Sequence, residues 1–298
     1  MSRVAFRNVV LSLSLVAGAA AVTVAPSAGA AKKTTMYYVN LGDSYAAGYQ
    51  YGGQPATTEL HGYANQLDAA LAKKHPMTLE NFGCGGATTD SLLNTVNCPD
   101  PTTNGPTYTT TSQEAAALAF IAAHPGQIGL ITISIGGNDF DGCVGGSNPA
   151  TCVLDAMPTM KANVEKLSSD LRTAVGSGVP IIGITYPDVV LGEWLQGTNG
   201  KSLASLSVTA FKAIINPTLA AAYATYNVSF VDVTTATGAY TPWSKMTKLK
   251  PYGKIPVAVA NVCELTWFCS IAGDIHPKTA GYKVIAGLLQ KQYNTLVH

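Results

Sequence analysis

Apolar runs of strand length alternate with longer runs of helical periodicity along most of the chain. Residues 128–135 and 179–185 are almost continuously apolar, which is typical of parallel strands buried on both faces. The alternation predicts an α/β fold in which helices cover both faces of a parallel sheet. The predicted strands are 36–41, 78–82, 128–135, 179–185 and 228–233. The predicted helices are 63–74, 112–123, 154–175, 201–226 and 278–293.

Two features refine the helix predictions. Apolar residues in the third predicted helix recur at intervals of three and four positions, which predicts packing against the sheet rather than a ligand site. In the fourth, Pro217 lacks the N–H that a helix interior needs, so we expect it to break or kink the helix. The stripe of the third helix comprises Met157, Met160, Val164, Leu167, Leu171 and Val175.

Residues 1–30 have the features of a secretory signal peptide. Arg3 and Arg7 are followed by an apolar run over residues 9–24, and Ala-Gly-Ala at 28–30 fits a small-residue cleavage site. A membrane anchor is the alternative, but serine, glycine and threonine interrupt a run that is already short. No later segment looks long and apolar enough to span a membrane. We therefore expect a secreted protein in which residues 31–298 form one domain.

Composition restricts the expected partners. Charged residues make up 12% of the chain, the formal net charge is +1, and no basic cluster occurs. Nucleic acid is therefore not an expected partner. Hydrophobic residues make up 47% of the chain, which favours a sizeable buried core over disorder.

Six cysteines in an exported chain predict disulfides. Many pairings are possible, and the sequence alone does not decide among them. We favour local pairs, because each would close a loop rich in proline, glycine, asparagine or threonine. A zinc site is the alternative, but the spacings lack a CxxC pattern and no histidine lies suitably near. The favoured pairs are Cys84–Cys98, Cys143–Cys152 and Cys263–Cys269.

Three short segments carry the candidate chemistry. Residues 41–46 read Leu-Gly-Asp-Ser-Tyr-Ala and follow the first predicted strand, so Ser44 lies where open α/β sheets present reactive groups. Gly-Gly-Asn-Asp at 136–139 follows the most apolar strand, and Asp-Ile-His-Pro at 274–277 precedes the last helix. Each segment alone is also compatible with an ordinary turn, and Ser44 with a helix cap.

The three segments, with Asn-Phe-Gly-Cys-Gly-Gly-Ala-Thr at 81–88, resemble the sequence blocks of the SGNH hydrolases, also called GDSL esterases/lipases. The likeness is greatest to secreted actinobacterial lipases and phospholipases with three disulfides. It extends from about Tyr38 to Tyr282 and implies a flavodoxin-like, three-layer α/β/α sandwich with a parallel sheet.

The resemblance implies a role for each matching residue. Ser44 would be the nucleophile, and His276 would be the general base and then the general acid. The backbone N–H groups of Ser44 and Gly86, with the side-chain amide of Asn138, would form the oxyanion hole. Of the other histidines, His61 lies in the loop after the serine and could line the pocket, but we expect it to lie on the surface.

The acidic member of the catalytic set departs from the family pattern. The usual aspartate stands three residues before the histidine, where this chain has Gly273, and Asp274 stands two before. The Asp274 carboxylate can fix the tautomer of His276, as in a full triad. Alternatively, a backbone carbonyl of Gly273 or Asp274 accepts the imidazole proton, which leaves a Ser-His dyad. We mildly favour a contribution from the carbonyl.

Other polar and aromatic residues receive simpler interpretations. Asp43 and Asp139 are expected to stabilise turns rather than to form a glycosidase pair. Trp267, between two cysteines, is the best candidate for lining an apolar pocket, whereas Trp194 and Trp243 are slightly better explained by core packing.

The resemblance implies a carboxylic ester hydrolase that acts through an acyl-enzyme and uses no metal or organic cofactor. Lipid esters are the favoured substrates, with transient contact with a lipid surface, and the protein is expected to be a monomer. Deacetylation of polysaccharides is a second possibility. A non-catalytic, cell-wall-associated binding protein on the same fold is a third.

Overall fold

A computed structural model describes Met1 and residues 34–270 and 273–298. The predicted signal peptide, apart from Met1, lies outside the described residues. From Thr35 to His298 the chain forms one compact unit.

Five parallel strands form the central sheet in the order β2-β1-β3-β4-β5. This order is flavodoxin-like, and the chain reverses its winding direction between β1 and β3. Ligands of such sheets collect at that switch point, outside the carboxyl ends of the strands. The strands are β1 (Tyr37–Gly42), β2 (Thr78–Asn81), β3 (Ile128–Ser134), β4 (Ile181–Ile184) and β5 (Ser229–Val231). All five predicted strands are therefore present.

Helices cover both faces of the sheet, which confirms the predicted three-layer architecture. On one face, α3 and α11 pack together over Tyr38, Leu130 and Ile182. On the other face, α6 packs against α4, α5 and α8 over a larger apolar core. The helices are α1 (Ser44–Ala47), α2 (Pro55–Thr58), α3 (Tyr63–Leu71), α4 (Thr89–Asn94), α5 (Gln113–Ala123), α6 (Pro149–Val175), α7 (Gly197–Ala210), α8 (Asn216–Ala224), α9 (Val233–Ala236), α10 (Val257–Leu265) and α11 (Thr279–Leu296).

The predicted third helix is longer at its start than expected. It begins at Pro149, because proline at the first helical position needs no hydrogen-bond acceptor for its missing N–H. Its predicted stripe is buried at Met157, Met160 and Val164, and packs into the core on that face of the sheet.

Pro217 neither ends the fourth helix nor leaves it regular. Helices α7 and α8 are joined by one π-helical turn, Phe211–Ile215, in which the Asn216 N–H bonds to the Phe211 carbonyl. The wider turn lets the helix continue past a residue that has no N–H to donate.

One expectation about hydropathy was wrong. The continuous helical run Val189–Ala224 is long and apolar enough to pass as a membrane span by length and composition, because an 18-residue window within it has a mean hydropathy of 1.3. In the fold, its residues Phe211, Leu219 and Tyr223 are buried in the core beside α6.

Several short elements of the C-terminal third were not predicted. An antiparallel hairpin pairs β6 (Met246–Leu249) with β7 (Gly253–Pro256) and leads directly into α10. Helix α10 buries Ala258, Val259 and Val262, and Thr266, directly after it, pairs with Pro277 in the loop before α11.

The structure joins the six cysteines in the three local pairs that the sequence favoured. Two bridges begin in connections that follow strands of the sheet, at Cys84 after β2 and Cys143 after β3, and the third joins Cys263 of α10 to Cys269 in the loop after it. Short cross-links of this kind restrict loops that carry few core residues of their own.

Candidate active site

Ser44 is presented by a tight turn at the end of β1. Gly42 has a φ of +137°, and a β-carbon there would collide with the Ser134 carbonyl of β3, so only glycine fits. The Gln113 side chain bonds to both the N–H and the carbonyl of Gly42, at 2.7 and 3.0 Å. Ser44 then opens α1 and is itself almost buried.

Asp43 holds this turn from beneath, as expected for a turn-stabilising residue. Its carboxylate accepts hydrogen bonds from the Tyr45 N–H at 2.9 Å and the Tyr186 hydroxyl at 2.5 Å. Burial raises the pKa of Asp43 to about 7, although both hydrogen bonds oppose the rise. The side chain is 2% exposed and bonded to groups of the protein, which is consistent with a structural role.

The loop before α11 brings His276 and Asp274 to the serine. His276 Nε2 lies 2.9 Å from Ser44 Oγ, and His276 Nδ1 lies 3.2 Å from Asp274 Oδ1. The same carboxylate oxygen accepts the backbone N–H of His276 at 2.9 Å, which fixes the carboxylate next to the ring. The geometry therefore favours the Asp274 side chain over the backbone carbonyl that we mildly favoured from the sequence.

The surroundings of His276 favour the neutral form of its imidazole. Burial lowers the pKa of His276, and the negative charge of Asp274 opposes this only in part. A neutral imidazole beside a serine hydroxyl can accept its proton, which is the property that a general base needs.

Sequence reasoning missed the residues that hold the histidine loop in place. The Tyr45 hydroxyl donates to the Ile275 carbonyl at 2.6 Å, so the residue after Ser44 contacts the residue before His276. The backbone N–H of Trp267 donates to the His276 carbonyl at 2.9 Å, and the centroid of the Tyr49 ring lies 4.4 Å from that of the imidazole. No sequence pattern identified these contacts. Those of Tyr45 and Tyr49 join residues more than 200 positions apart, and the bond between Trp267 and His276 spans a loop.

The two other predicted oxyanion donors lie with Ser44 and His276 in one cleft. Gly86 has a φ of +72°, a conformation that glycine adopts without strain, and a β-carbon there would meet no protein atom. Asn138 Nδ2 donates to the Ala87 carbonyl at 2.8 Å. An amide nitrogen carries two hydrogens, so this bond orients Asn138 and leaves a second donor for a ligand.

Asp139 connects the loops that carry these two donors. Its carboxylate accepts the Thr89 N–H at 2.8 Å and the Thr89 hydroxyl at 2.5 Å, and so caps the start of α4. This is the turn-stabilising role that the sequence predicted.

The cleft has a volume of about 620 Å³ and is strongly acidic. Four carboxylate side chains line it, and no lysine or arginine does so among the described residues: the carboxylates belong to Asp100, Asp141, Glu193 and Asp274. With side chains of one sign, such a cleft repels anions and favours neutral or cationic groups.

The aromatic residue of the Cys263–Cys269 loop that lines the cleft is Phe268, not Trp267. The ring of Trp267 instead lies 5.5 Å from the Lys278 ammonium. Trp194 and Trp243 pack against the apolar clusters around α10, as favoured from the sequence. His61 is exposed, also as expected.

The comparisons with known proteins place this site in a family. A family model for GDSL-like lipases/acylhydrolases matches residues 41–284, a range that contains all the proposed catalytic residues. The chain belongs to this family. It is a carboxylic ester hydrolase with the SGNH hydrolase fold, as the sequence blocks indicated.

Several solved structures of other proteins have the same fold as this chain. An extracellular lipase from Streptomyces rimosus is 19% identical with a TM-score of 0.52, and covers 86% of this chain and 99% of its own. Phospholipase A1 from Streptomyces albidoflavus NA297 is 20% identical with a TM-score of 0.51, over 86% and 99%. A lipase from a goat rumen metagenome is 14% identical with a TM-score of 0.52, over 86% and 97%. A search of curated protein sequences found no match.

Proposed function

We propose that this protein is a secreted serine esterase that hydrolyses lipid esters through an acyl-enzyme on Ser44. The observation that carries the proposal is the 2.9 Å contact between Ser44 Oγ and His276 Nε2, inside the span of a lipase/acylhydrolase family model. A serine hydroxyl needs such a base to attack an ester near neutral pH.

The first half of the reaction forms the acyl-enzyme. Ser44 Oγ attacks the ester carbonyl carbon while His276 Nε2 takes the hydroxyl proton, and Asp274 stabilises the imidazolium that results. The N–H groups of Ser44 and Gly86 and the amide of Asn138 bind the oxyanion of the tetrahedral intermediate. His276 then returns the proton to the leaving alcohol, and the bond between carbonyl carbon and alcohol oxygen breaks.

The second half regenerates the serine. His276 takes a proton from water, the hydroxide attacks the acyl carbon, and the carbon–Oγ bond breaks as Ser44 regains a proton. All the proposed groups come from one chain, so the chemistry requires no residue from a partner subunit.

The residues that line the two sides of the site favour an ester substrate that carries no negative charge. Apolar side chains, among them Phe140 and Val190, line the space beside Ser44, and a fatty acyl group fits such a lining. The acidic cleft on the other side disfavours anionic alcohols or headgroups. The same carboxylates can bind sugar hydroxyls, so a carbohydrate acetyl esterase is the second candidate.

Secretion is supported by the three disulfides and by the likeness to an extracellular lipase. Disulfides persist in oxidising compartments outside the cytosol. The features of residues 1–30 agree with export and removal of a signal peptide.

A hydrolysis panel tests the proposal. Purified protein would be assayed with a neutral diacyl lipid, a zwitterionic phospholipid, an acetylated xylan and p-nitrophenyl esters. The proposal expects fatty acyl esters to be cleaved with a higher kcat/KM than acetylated sugar. Preference for the acetylated sugar would establish the second candidate. Absence of any hydrolysis by folded protein would favour a non-catalytic binding protein.

A further inference from the structure

The space beside Ser44 continues away from the acidic cleft as a small pocket, called here the inner pocket. Its volume is about 50 Å³, and both Ser44 and Asn138 line it. Two carboxylates also line it, that of the exposed Asp141 and that of the buried Asp43, and most of its other lining residues are apolar. The apolar side chains that matter below are Phe140, Val144, Val190 and Phe211.

A second pocket, called here the outer pocket, lies between α6 and α7. Its volume is about 60 Å³, and it shares all four of those apolar residues with the inner pocket. Its only hydroxyl is that of Ser207, which is already bonded to Asp188 at 2.9 Å. The outer pocket therefore offers an almost entirely apolar lining, and it shares part of its wall with the space beside the nucleophile.

Two aromatic rings stand where the pockets meet. Phe140 and Phe211 line both pockets and contact each other edge to face, with ring centroids 6.2 Å apart. The outer pocket also reaches Leu206, which is 38% exposed and does not line the inner pocket. A chain that extended from Ser44 into the outer pocket would therefore pass these two rings.

Two irregular features of the chain shape the outer pocket. The π turn at Phe211–Ile215 places both Phe211 and Ile215 in its lining, and single π turns occur frequently at functional sites. On the opposite side, Cys143 lines the pocket and is bonded to Cys152 of α6, so the loop after β3 is anchored to that helix. Neither feature contributes to the contact between Ser44 and His276.

We propose that the inner and outer pockets together bind the acyl chain of the substrate, and that the outer pocket sets the preferred chain length. This rests on the proposed function, since the chain can enter only if its carbonyl carbon lies at Ser44. Each pocket has room for about four water-sized groups, so a straight chain of about eight carbons would fill both. Each methylene buried there strengthens binding by about fourfold.

Filling the outer pocket tests the proposal. Ala210 lines it from α7, and Ala210→Phe would place a ring where carbons five to eight of the chain should lie. The measurement is kcat/KM for p-nitrophenyl acetate, butyrate, octanoate and laurate. The wild type should favour octanoate, and the octanoate-to-acetate ratio should fall at least tenfold in the variant.

A second filling variant guards against misfolding of the first. Ala150 is exposed on the first turn of α6 and lines the outer pocket from the opposite wall, so Ala150→Trp can fill it with little strain on the core. Ala221→Trp is the control, because Ala221 is exposed on α8 and lines neither pocket. The control should keep the chain-length profile of the wild type.

The outcomes separate the two claims. A wild type that cleaves no ester would overturn the proposed function itself. An active wild type whose octanoate-to-acetate ratio stays the same in folded Ala150→Trp would overturn the acyl-chain assignment alone. Equal losses on acetate and octanoate would also overturn it, because a chain-length determinant must spare the shortest ester.

Discussion

The nucleophile segment and the histidine segment meet at one hydrogen bond but are held in place by different means. Asp43 and Ser44 follow a sheet strand directly, are nearly buried, and are fixed by the side chains of Gln113 and Tyr186. The histidine segment is a loop before α11, and its position depends on a few contacts such as that from Tyr45. The serine thus follows directly from a strand of the sheet, whereas the histidine loop is held by the Tyr45 hydroxyl and by the backbone N–H of Trp267.

The largest expected loss of activity comes from a change in the buried nucleophile segment. Ser44→Ala removes the atom that bonds to the acyl group, so kcat should fall by about 10⁵-fold or more. The hydroxyl contributes little packing, so the melting temperature should change by no more than a few degrees. Steady-state kinetics and thermal unfolding measure both. More than a tenth of wild-type turnover would remove Ser44 from its proposed role.

On the histidine side, Asp274→Asn should reduce kcat by about 10³- to 10⁴-fold, because the amide can hold the imidazole in the wrong tautomer. His276→Ala is the reference for complete loss of the base. If a backbone carbonyl orients the ring instead, Asp274→Asn should cost about tenfold or less.

The pH profile sharpens the same prediction. Because burial lowers the pKa of His276, the acid limb of kcat/KM should lie below the usual histidine value of about 6.5. The charge of Asp274 raises the pKa of His276, so Asp274→Asn should move the acid limb to still lower pH. An acid limb that moves upward in the variant would contradict this account of the electrostatics.

Asn138→Ala should reduce kcat by about 10²- to 10³-fold with a smaller change in KM, because an oxyanion donor acts where negative charge develops. The kinetic split between kcat and KM is the measurement. A change confined to KM would mean that Asn138 binds substrate without stabilising the transition state.

The smallest expected effect on turnover concerns the hydrogen bond that joins the two segments, called here the tether. Tyr45→Phe removes the bond to the Ile275 carbonyl, and we expect kcat to fall about tenfold with little change in KM, since the histidine loop loses alignment. Leaving that carbonyl unpaired should also lower the free energy of unfolding by about 1–3 kcal/mol.

Tyr108→Phe is a matched control for the tether. Its hydroxyl is likewise buried and donates to a backbone carbonyl, that of Phe82, at 2.7 Å. It should lose similar stability and keep its turnover. Equal loss of turnover in both variants would show that general destabilisation, not loop position, explains the effect.

Hydrophobic periodicity was enough to predict the sheet and its major helices. Residues 128–135 are apolar on both faces because β3 is covered on both sides, and such a signal is local. Helix α10 was missed because valines at 257, 259 and 262 favour strand, and only tertiary packing makes the segment helical. Helix α4 has only six residues, too few to show a periodicity.

The proposed site was predictable where it follows short sequence blocks and unpredictable where it depends on distant contacts. Ser44, Gly86, Asn138 and His276 follow the family's blocks, and the structure brings all four to one cleft. The direction of the Asp274 carboxylate depends on the course of its loop, and the roles of Tyr45 and Phe268 depend on contacts across the fold. A one-residue shift in sequence cannot indicate which atom reaches Nδ1.

Covalent labelling tests the central claim most directly. The folded protein would be treated with an alkyl p-nitrophenyl phosphonate, which bonds to activated serines, and then analysed by intact mass and peptide mapping. The account predicts one adduct per chain, on the peptide containing Ser44, and greatly slowed labelling in His276→Ala. No adduct, or an adduct on another residue, would contradict it.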